Sequence, residues 1–95
     1  MSSEKPDLTL TDNGRQLTAN VEGKELVIRY HWARDGVMSV DFVGVPREFG
    51  GRGLGTKLVG KLVEKARADD FQLVPVCSFA ALQLQRHKDW HDVLA

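Results

Sequence analysis

The chain has 95 residues, of which 42% are hydrophobic and 27% charged, a composition typical of one globular domain. Thirteen basic and thirteen acidic side chains leave no net charge, which argues against a nucleic-acid or membrane-surface partner. A single cysteine excludes an internal disulfide and a cysteine-based zinc finger. Residues 1–7 contain no apolar core of a secretory signal. We therefore expect a loose N-terminal segment over residues 1–7, a single domain over residues 8–95, and a cytoplasmic location.

The first half of the chain has the pattern of short strands. Apolar and polar residues alternate over residues 8–11, 17–21 and 38–43, and residues 26–32 form a nearly continuous apolar run. Turn-forming sequences separate these segments: Asp12-Asn13-Gly14, Glu22-Gly23-Lys24 and Arg34-Asp35-Gly36. The pattern predicts a four-stranded antiparallel meander. In its fourth strand, strict alternation places Met38, Val40 and Phe42 on one face, and Ser39, Asp41 and Val43 on the other.

The second half of the chain changes to a helical period. Over residues 52–69 apolar side chains recur every three or four residues, which predicts an amphipathic helix. The apolar segment Phe71–Val76 then predicts a short strand, and Ser78 is a suitable cap for a final helix. A strand, helix, strand order implies a right-handed crossover and a parallel pair. We expect an α+β fold of four antiparallel strands, a crossover helix, a parallel fifth strand and a C-terminal helix.

A glycine-rich loop precedes the first predicted helix. Its sequence is Gly50-Gly51-Arg52-Gly53-Leu54-Gly55-Thr56. Glycines let backbone N–H groups approach a ligand closely, and the N-terminus of a helix adds unpaired donors and partial positive charge. The loop is therefore interpreted as a phosphate site, because packing does not account for four glycines there. The alternative is a flexible turn with a glycine cap.

Two common phosphate-binding motifs do not fit this loop. Gly50 and Gly55 have the spacing of a Walker loop, but Thr56 precedes Lys57, the reverse of the required order. A dinucleotide fingerprint starting at Gly51 or Gly53 would need a glycine where Thr56 and Leu58 stand. The loop therefore belongs to another class.

Four segments together resemble the small single-domain branch of the GNAT-superfamily N-acetyltransferases. They are Val45-Pro46, the Gly51-Arg52-Gly53-Leu54-Gly55 run, Val74-Pro75-Val76-Cys77-Ser78-Phe79 and the Arg86-His87 pair. The resemblance spans about residues 8–94. Two positions depart from the superfamily pattern: Gly50 stands where Arg or Gln is usual, and Phe42-Val43 where small-branch members often carry a His-Thr pair.

The resemblance implies acetyl-CoA (or CoA) as the cofactor. Its pyrophosphate would lie on the loop N–H groups, and its pantetheine would run between the fourth strand near Val43–Val45 and the parallel strand Phe71–Val76. These two strands would separate to admit it, and the Val45 backbone N–H would polarise the thioester carbonyl. The cofactor-binding residues implied are Val43, Val45, Arg47, Gly50, Gly51, Arg52, Gly53, Leu54, Gly55, Thr56, Arg86 and His87.

Three further side chains are candidates for chemistry. Cys77 lies between a strand and a helix N-terminus, where a thiol serves as nucleophile or as the acid that protonates the departing thiolate; the alternative is a small buried hydrophobe. Asp41 is interpreted as a general base or as an ordinary surface carboxylate. His31 is a strand residue with a satisfied ring, or a base. His87 and His91 share helical spacing, but two ligands do not make a metal site, so no metal is expected.

Two functions remain open at this point. One is the transfer of an acetyl group to a primary amine of a small molecule or of a protein lysine or N-terminus. The other is a non-catalytic CoA-binding or protein-interaction module on the same fold. The predicted first connection is only Asp12-Asn13-Gly14, where larger superfamily members carry helices, so the acceptor side is expected to be open.

Overall fold

The computed structural model describes residues 8–95; the predicted loose segment, residues 1–7, lies outside the described residues. Its strands are β1 (Thr11–Asp12), β2 (Gln16–Val21), β3 (Lys24–Arg34), β4 (Val37–Gly44) and β5 (Gln72–Pro75), and its helices are α1 (Leu54–Asp69) and α2 (Ser78–Arg86). Short 3-10 turns span Arg47–Phe49 and Lys88–Val93.

The strands form one sheet in chain order, β1-β2-β3-β4-β5. The pairs from β1 to β4 are antiparallel, and β4 pairs with β5 in parallel after the crossover through α1. The α+β architecture predicted from the sequence is confirmed, including the parallel fifth strand.

One face of the sheet carries the core. Alternate residues of β2 and β3 are buried on that face: Leu17, Ala19, Val21, Leu26, Ile28 and Tyr30. They belong to the same buried cluster as the apolar stripe of α1 and Ala80 and Leu84 of α2. Both helices therefore cover one side, which leaves residues such as Arg29, His31 and Phe42 on an open sheet face.

Several predicted boundaries were wrong by one to three residues. β1 is limited to Thr11–Asp12, where alternation from Leu8 suggested a longer strand. Ser78 is the first residue of α2 and does not cap it; the cap is Cys77, whose carbonyl accepts the Ala81 N–H at 2.9 Å. Phe71 lies outside β5 because its N–H closes α1 on the Ala66 carbonyl.

A β-bulge interrupts β4 at Asp41. Arg29 pairs with Phe42 and Tyr30 pairs with Val40, which leaves Asp41 as an extra residue. The bulge moves Phe42 to the open face, where it is 45% exposed under the Arg29 guanidinium, 5.3 Å from the ring centre. The predicted grouping of Phe42 with the buried Met38 and Val40 was therefore wrong.

Candidate functional site

The gap between β4 and β5 begins at Val40. Pairing runs from Val37 with Gln72 to Val40 with Pro75, and β4 continues through Asp41–Gly44 without a β5 partner. The Val40 carbonyl accepts the N–H groups of both Val76 (3.0 Å) and Cys77 (2.9 Å). Beyond this bond the chain leaves β5 for α2. The predicted separation of the two strands thus has a defined starting point.

The loop that follows β4 owes its shape to two glycines. Gly51 has φ +82° and Gly53 has φ +72°, both in the left-handed region that side chains disfavour. A Cβ added at either position would meet no atom within 4 Å. The backbone conformation, and not crowding, therefore requires glycine at these two positions.

The N-terminus of α1 presents bare donors. Gly53 is its cap and provides no side-chain hydrogen bond. The first helical bond runs from the Lys57 N–H to the Gly53 carbonyl at 3.1 Å. The N–H groups of Leu54, Gly55 and Thr56 consequently have no acceptor inside the helix, and the helix dipole adds partial positive charge. This end of α1 suits a phosphate or pyrophosphate.

Gly55 has a different origin from Gly51 and Gly53. A Cβ at Gly55 would lie 2.7 Å from Cζ of Phe79 on α2 and 3.5 Å from a Val45 side-chain methyl. Packing between α1, α2 and the end of β4 therefore requires a glycine there. The expectation that packing explains none of the loop glycines was wrong at this position.

A cavity of about 260 Å³ joins these elements. It brings the end of β4, the loop and the first turn of α2 together, with Val45, Phe49, Gly50, Gly51, Gly53, Leu54, Gly55, Thr56 and Phe79 as its lining. Cavities of about 460 and 610 Å³ lie elsewhere, around Asp35, Gly36 and Asp70. They lack a helix N-terminus, so the smaller cavity is the better candidate for a phosphorylated ligand.

The Arg52 side chain, predicted to bind the cofactor, has protein partners of its own. The Arg52 guanidinium forms two hydrogen bonds with the Glu22 carboxylate, at 2.7 and 3.2 Å, and lies 4.8 Å from the Phe49 ring centre. The hydrogen bond and charge of Arg52 lower the pKa of Glu22. The backbone of Arg47 closes the turn before the loop, because its carbonyl accepts the Gly50 N–H at 3.0 Å.

The Arg86-His87 pair lies at the C-terminal end of α2. His87 is linked to Thr56 of the loop because both residues form a hydrogen bond with Gln83. The His87 Nδ1 donates to the Gln83 carbonyl at 2.8 Å, and its ring stacks on Trp90 at 3.9 Å. The Thr56 hydroxyl in turn donates to the Gln83 side-chain oxygen at 2.9 Å. The Thr56 hydroxyl is thus already used, and only its backbone N–H is left for a ligand.

The two histidines of the C-terminal segment both bind backbone. The His91 Nε2 donates to the Leu84 carbonyl at 2.8 Å, as His87 does to Gln83. Among residues 8–95 no group of three potential metal ligands comes together. These contacts give both rings a structural task.

Cys77 lies beside the start of the gap. It is the N-cap of α2, is partly buried against the core, and donates its backbone N–H to Val40. The strand-to-helix junction predicted for this residue is present. A thiol here borders both the gap and the core, so its position fits an acid, a nucleophile or a packing role.

Asp41 is held by two neighbours on the open face. Its Oδ1 accepts from the Ser39 hydroxyl at 2.7 Å, and its Oδ2 lies 2.6 Å from the His31 Nδ1. Burial raises the pKa of Asp41, but the hydrogen bonds from His31 and Ser39 and the charge of His31 outweigh it, so the net shift is downward. The sequence offered His31 and Asp41 as separate candidates; their pairing follows from the hairpin that joins β3 and β4.

Comparison with known proteins decides the family. The profile of the GCN5-related N-acetyltransferases matches residues 16–93, which include every strand from β2 onward and both helices. The chain belongs to this family. A GCN5-like protein of Staphylococcus aureus, solved by NMR and named for a proposed N-acetyltransferase activity, is 28% identical with a TM-score of 0.73. The alignment covers 93% of this N-acetyltransferase-family chain and 88% of that one.

The family and its structural neighbour support an acetyltransferase role. No curated protein matches this family member significantly. Among its described residues, no helix is long and apolar enough to cross a membrane.

Proposed function

We propose that this protein is an acetyl-CoA-dependent N-acetyltransferase that acts on a primary amine. One observation carries the proposal. The N-terminus of α1, where the N–H groups of residues 54–56 have no acceptor inside the helix, opens on a cavity next to the half of β4 that has no β5 partner. A pyrophosphate and an extended chain need these two features side by side. The family supports the same ligand, since its members generally use acetyl-CoA.

The residues present fit the cofactor. Gly51 and Gly53 leave open space at the loop, and the bare donors of α1 provide the anion site. The pantetheine would pair with the free edge of β4 near Val43–Val45, and the Val45 N–H would stabilise negative charge on the thioester oxygen. Bound acetyl-CoA supplies the activated acetyl group; the protein holds and orients it.

Cys77 is the residue that we propose as the proton donor to the departing CoA thiolate. It borders the gap where the pantetheine would end, and a thiol there donates a proton to the leaving sulfur. If Cys77 instead attacked the thioester, a covalent acetyl-enzyme would form and the kinetics would be ping-pong.

The acceptor approaches from the open sheet face. β1 and β2 are joined by residues 13–15 only, and no helix within residues 8–95 covers the side of the sheet that carries His31 and Asp41. An open site suits a protein lysine, a chain N-terminus or a small amine. We propose that the enzyme is cytoplasmic. Its zero net charge supports the absence of a nucleic-acid or membrane-surface partner.

A non-catalytic CoA-binding module remains the second candidate. The observation that favours it is the apolar pair Phe42-Val43 beside the gap, where a polar pair would serve catalysis. Turnover, and not binding, separates the two functions.

The test measures free thiol released from acetyl-CoA with ethylamine, spermidine or Nα-acetyl-lysine amide as acceptor, against a blank without amine. We expect amine-dependent release and an acetylated product of the expected mass. A rise in the melting temperature with CoA but no amine-dependent release would support the binding module. No response to CoA at millimolar concentration would refute both.

A further inference from the structure

The open face of the sheet carries a hydrogen-bonded chain of three polar side chains that the cofactor site does not use. Ser39 donates to Asp41, and Asp41 binds the Nδ1 of His31 at 2.6 Å. Ser39 pairs with His31 across the β3–β4 hairpin, and Asp41, two residues further along β4, lies on the same face within reach of the imidazole. The register of the β3–β4 hairpin thus brings the three side chains together.

We propose that the His31 imidazole, oriented by Asp41, is the general base that accepts the proton of the acceptor ammonium. This inference rests on the proposed function and names residues for its acceptor half. The Asp41 carboxylate accepts from Nδ1–H, so Nε2 is the free nitrogen able to take a proton. The side chain of His31 is 64% exposed, which leaves this nitrogen open to an incoming amine.

The position of the His31–Asp41 pair relative to the gap between β4 and β5 supports the role of His31 as the base. Asp41 directly follows Val40, whose carbonyl holds the last backbone bonds to β5 and α2. The base therefore lies on the open face at the level where the gap starts, while the loop donors of α1 lie on the helix-covered side. An amine that enters from the open face would meet His31, directly or through one water, on its way to the thioester.

The surroundings preserve a site for a cationic substrate. The carboxylate of Asp41 is the anion next to the imidazole, with a pKa lowered from its ordinary value despite the opposing effect of burial. Arg29, a cation on the same face, lies over the Phe42 ring. Arg15 lies before β2, and β5 contributes the uncharged Gln72 and Val74 to its neighbours. The ammonium form of an acceptor would thus meet a carboxylate.

The ammonium gives one proton to His31, which passes it to solvent. The neutral nitrogen attacks the thioester carbon, the N–C bond forms, and the C–S bond breaks with its electron pair going to sulfur. The second nitrogen proton is lost as the thiolate gains one, so the products are the amide, the thiol of CoA and one proton in solution.

The experiment compares two acceptors that differ in their need for a base. Ethylamine is protonated at neutral pH, whereas 2,2,2-trifluoroethylamine is largely neutral and needs no deprotonation before attack. We expect His31→Gln to slow ethylamine acetylation by about 10²-fold or more and trifluoroethylamine acetylation by less than about threefold. Asp41→Asn should act in the same direction with a smaller loss, because Asp41 positions the ring.

Further arms separate chemistry from structure. Added imidazole should restore ethylamine turnover in His31→Ala. Glu25→Gln is the matched control, an exposed position on β3 at the far end of the same strand, and should leave both rates unchanged. The rise in melting temperature with CoA should be the same in all variants.

Each outcome decides the inference. Equal slowing of both amines in His31→Gln, or no slowing, would overturn the role of His31 while leaving the proposed function standing. If wild-type protein releases no thiol with any amine, the proposed function fails and the base falls with it. Selective loss with ethylamine, restored by imidazole, supports the base.

Discussion

Gly53→Ala tests whether the N-terminus of α1 is the cofactor site. Gly53 has φ +72° and a Cβ there would meet no atom within 4 Å, so the substitution adds conformational strain but no clash. A left-handed alanine costs about 1–2 kcal/mol, and each kcal/mol lowers the melting temperature of a domain this size by about 4–8 °C. Gly53 also lines the cavity, so its methyl group occupies space next to the bare donors.

Gly36→Ala provides the matched control. Gly36 has φ +75°, also meets nothing within 4 Å, and lies in the turn between β3 and β4, away from the loop. Both variants should lose similar stability without ligand. At CoA concentrations a hundred times the dissociation constant, wild type and Gly36→Ala should gain about 2.7 kcal/mol.

The test compares the CoA affinity of Gly53→Ala with that of Gly36→Ala. Thermal unfolding with increasing CoA should show Gly53→Ala losing at least tenfold in affinity, or about 1.4 kcal/mol of the ligand-induced stabilisation. Gly53→Val, with a larger side chain, should abolish it. If Gly53→Ala retains the full CoA-induced shift, the pyrophosphate does not lie on this loop.

Three further predictions follow from single contacts. Gly55→Ala should cost about 1–3 kcal/mol in urea unfolding because its Cβ would lie 2.7 Å from Cζ of Phe79, and Phe79→Leu in the same chain should recover part of that loss; equal losses in both backgrounds would contradict it. Tyr30→Phe should cost about 1 kcal/mol and flatten the alkaline side of the stability curve. Burial, with the hydrogen bond to Asp12 and the charge of Asp12, raises the pKa of Tyr30 from 10.0 to about 12, so between these values the folded chain keeps a proton that the unfolded chain has lost and stability falls as pH rises; an unchanged slope between pH 9 and 11 in the variant would refute this. Cys77→Ala should keep CoA binding and lose about tenfold or more in turnover, and intact mass after acetyl-CoA alone distinguishes a nucleophile from an acid; undiminished turnover would leave Cys77 a packing residue.

The fold was predictable because periodicity and turn chemistry agree. The alternation of the first half and the helical spacing of residues 54–66 each bury one continuous apolar face, and few other arrangements do so. The order of the elements then fixed the parallel pair through the crossover rule. These signals depend on neighbours in sequence, which is why they survive without any structural information.

The bulge in β4 was not predictable by the same means. Phe42 and Val43 are both apolar, so the pattern reads equally well with the strand in strict alternation or shifted by one residue after Asp41. Only the pairing with Arg29 and Tyr30 on β3 decides between the two registers. The contact between His31 and Asp41 was missed for another reason: it needs His31 to pair with Ser39, and the sequence alone does not give the register of β3 against β4.

The partner of Arg52 could not be read from the loop either. An arginine within a phosphate-binding loop predicts a phosphate contact, but the Glu22 carboxylate is thirty residues away in sequence and takes the guanidinium in the fold. Gly55 is the opposite case. A glycine that makes room for Phe79 cannot be told apart, in the sequence, from a glycine that makes room for a ligand. The composition of a loop therefore indicates a functional segment, but it does not tell which of its residues bind a ligand and which pack against the protein.

The two halves of the proposed site depend on one stretch of β4. On its β5 side, the last backbone bonds are made by the Val40 carbonyl, so the strand edge that would take the pantetheine begins at the next residue. On its β3 side, the register shifts at that same residue, Asp41, whose carboxylate binds His31. An extra residue in a strand bends it and re-aims its side chains. In this protein the register shift coincides with the end of pairing to β5, so the free edge proposed for the donor and the polar group proposed for the acceptor lie on opposite sides of a single peptide segment.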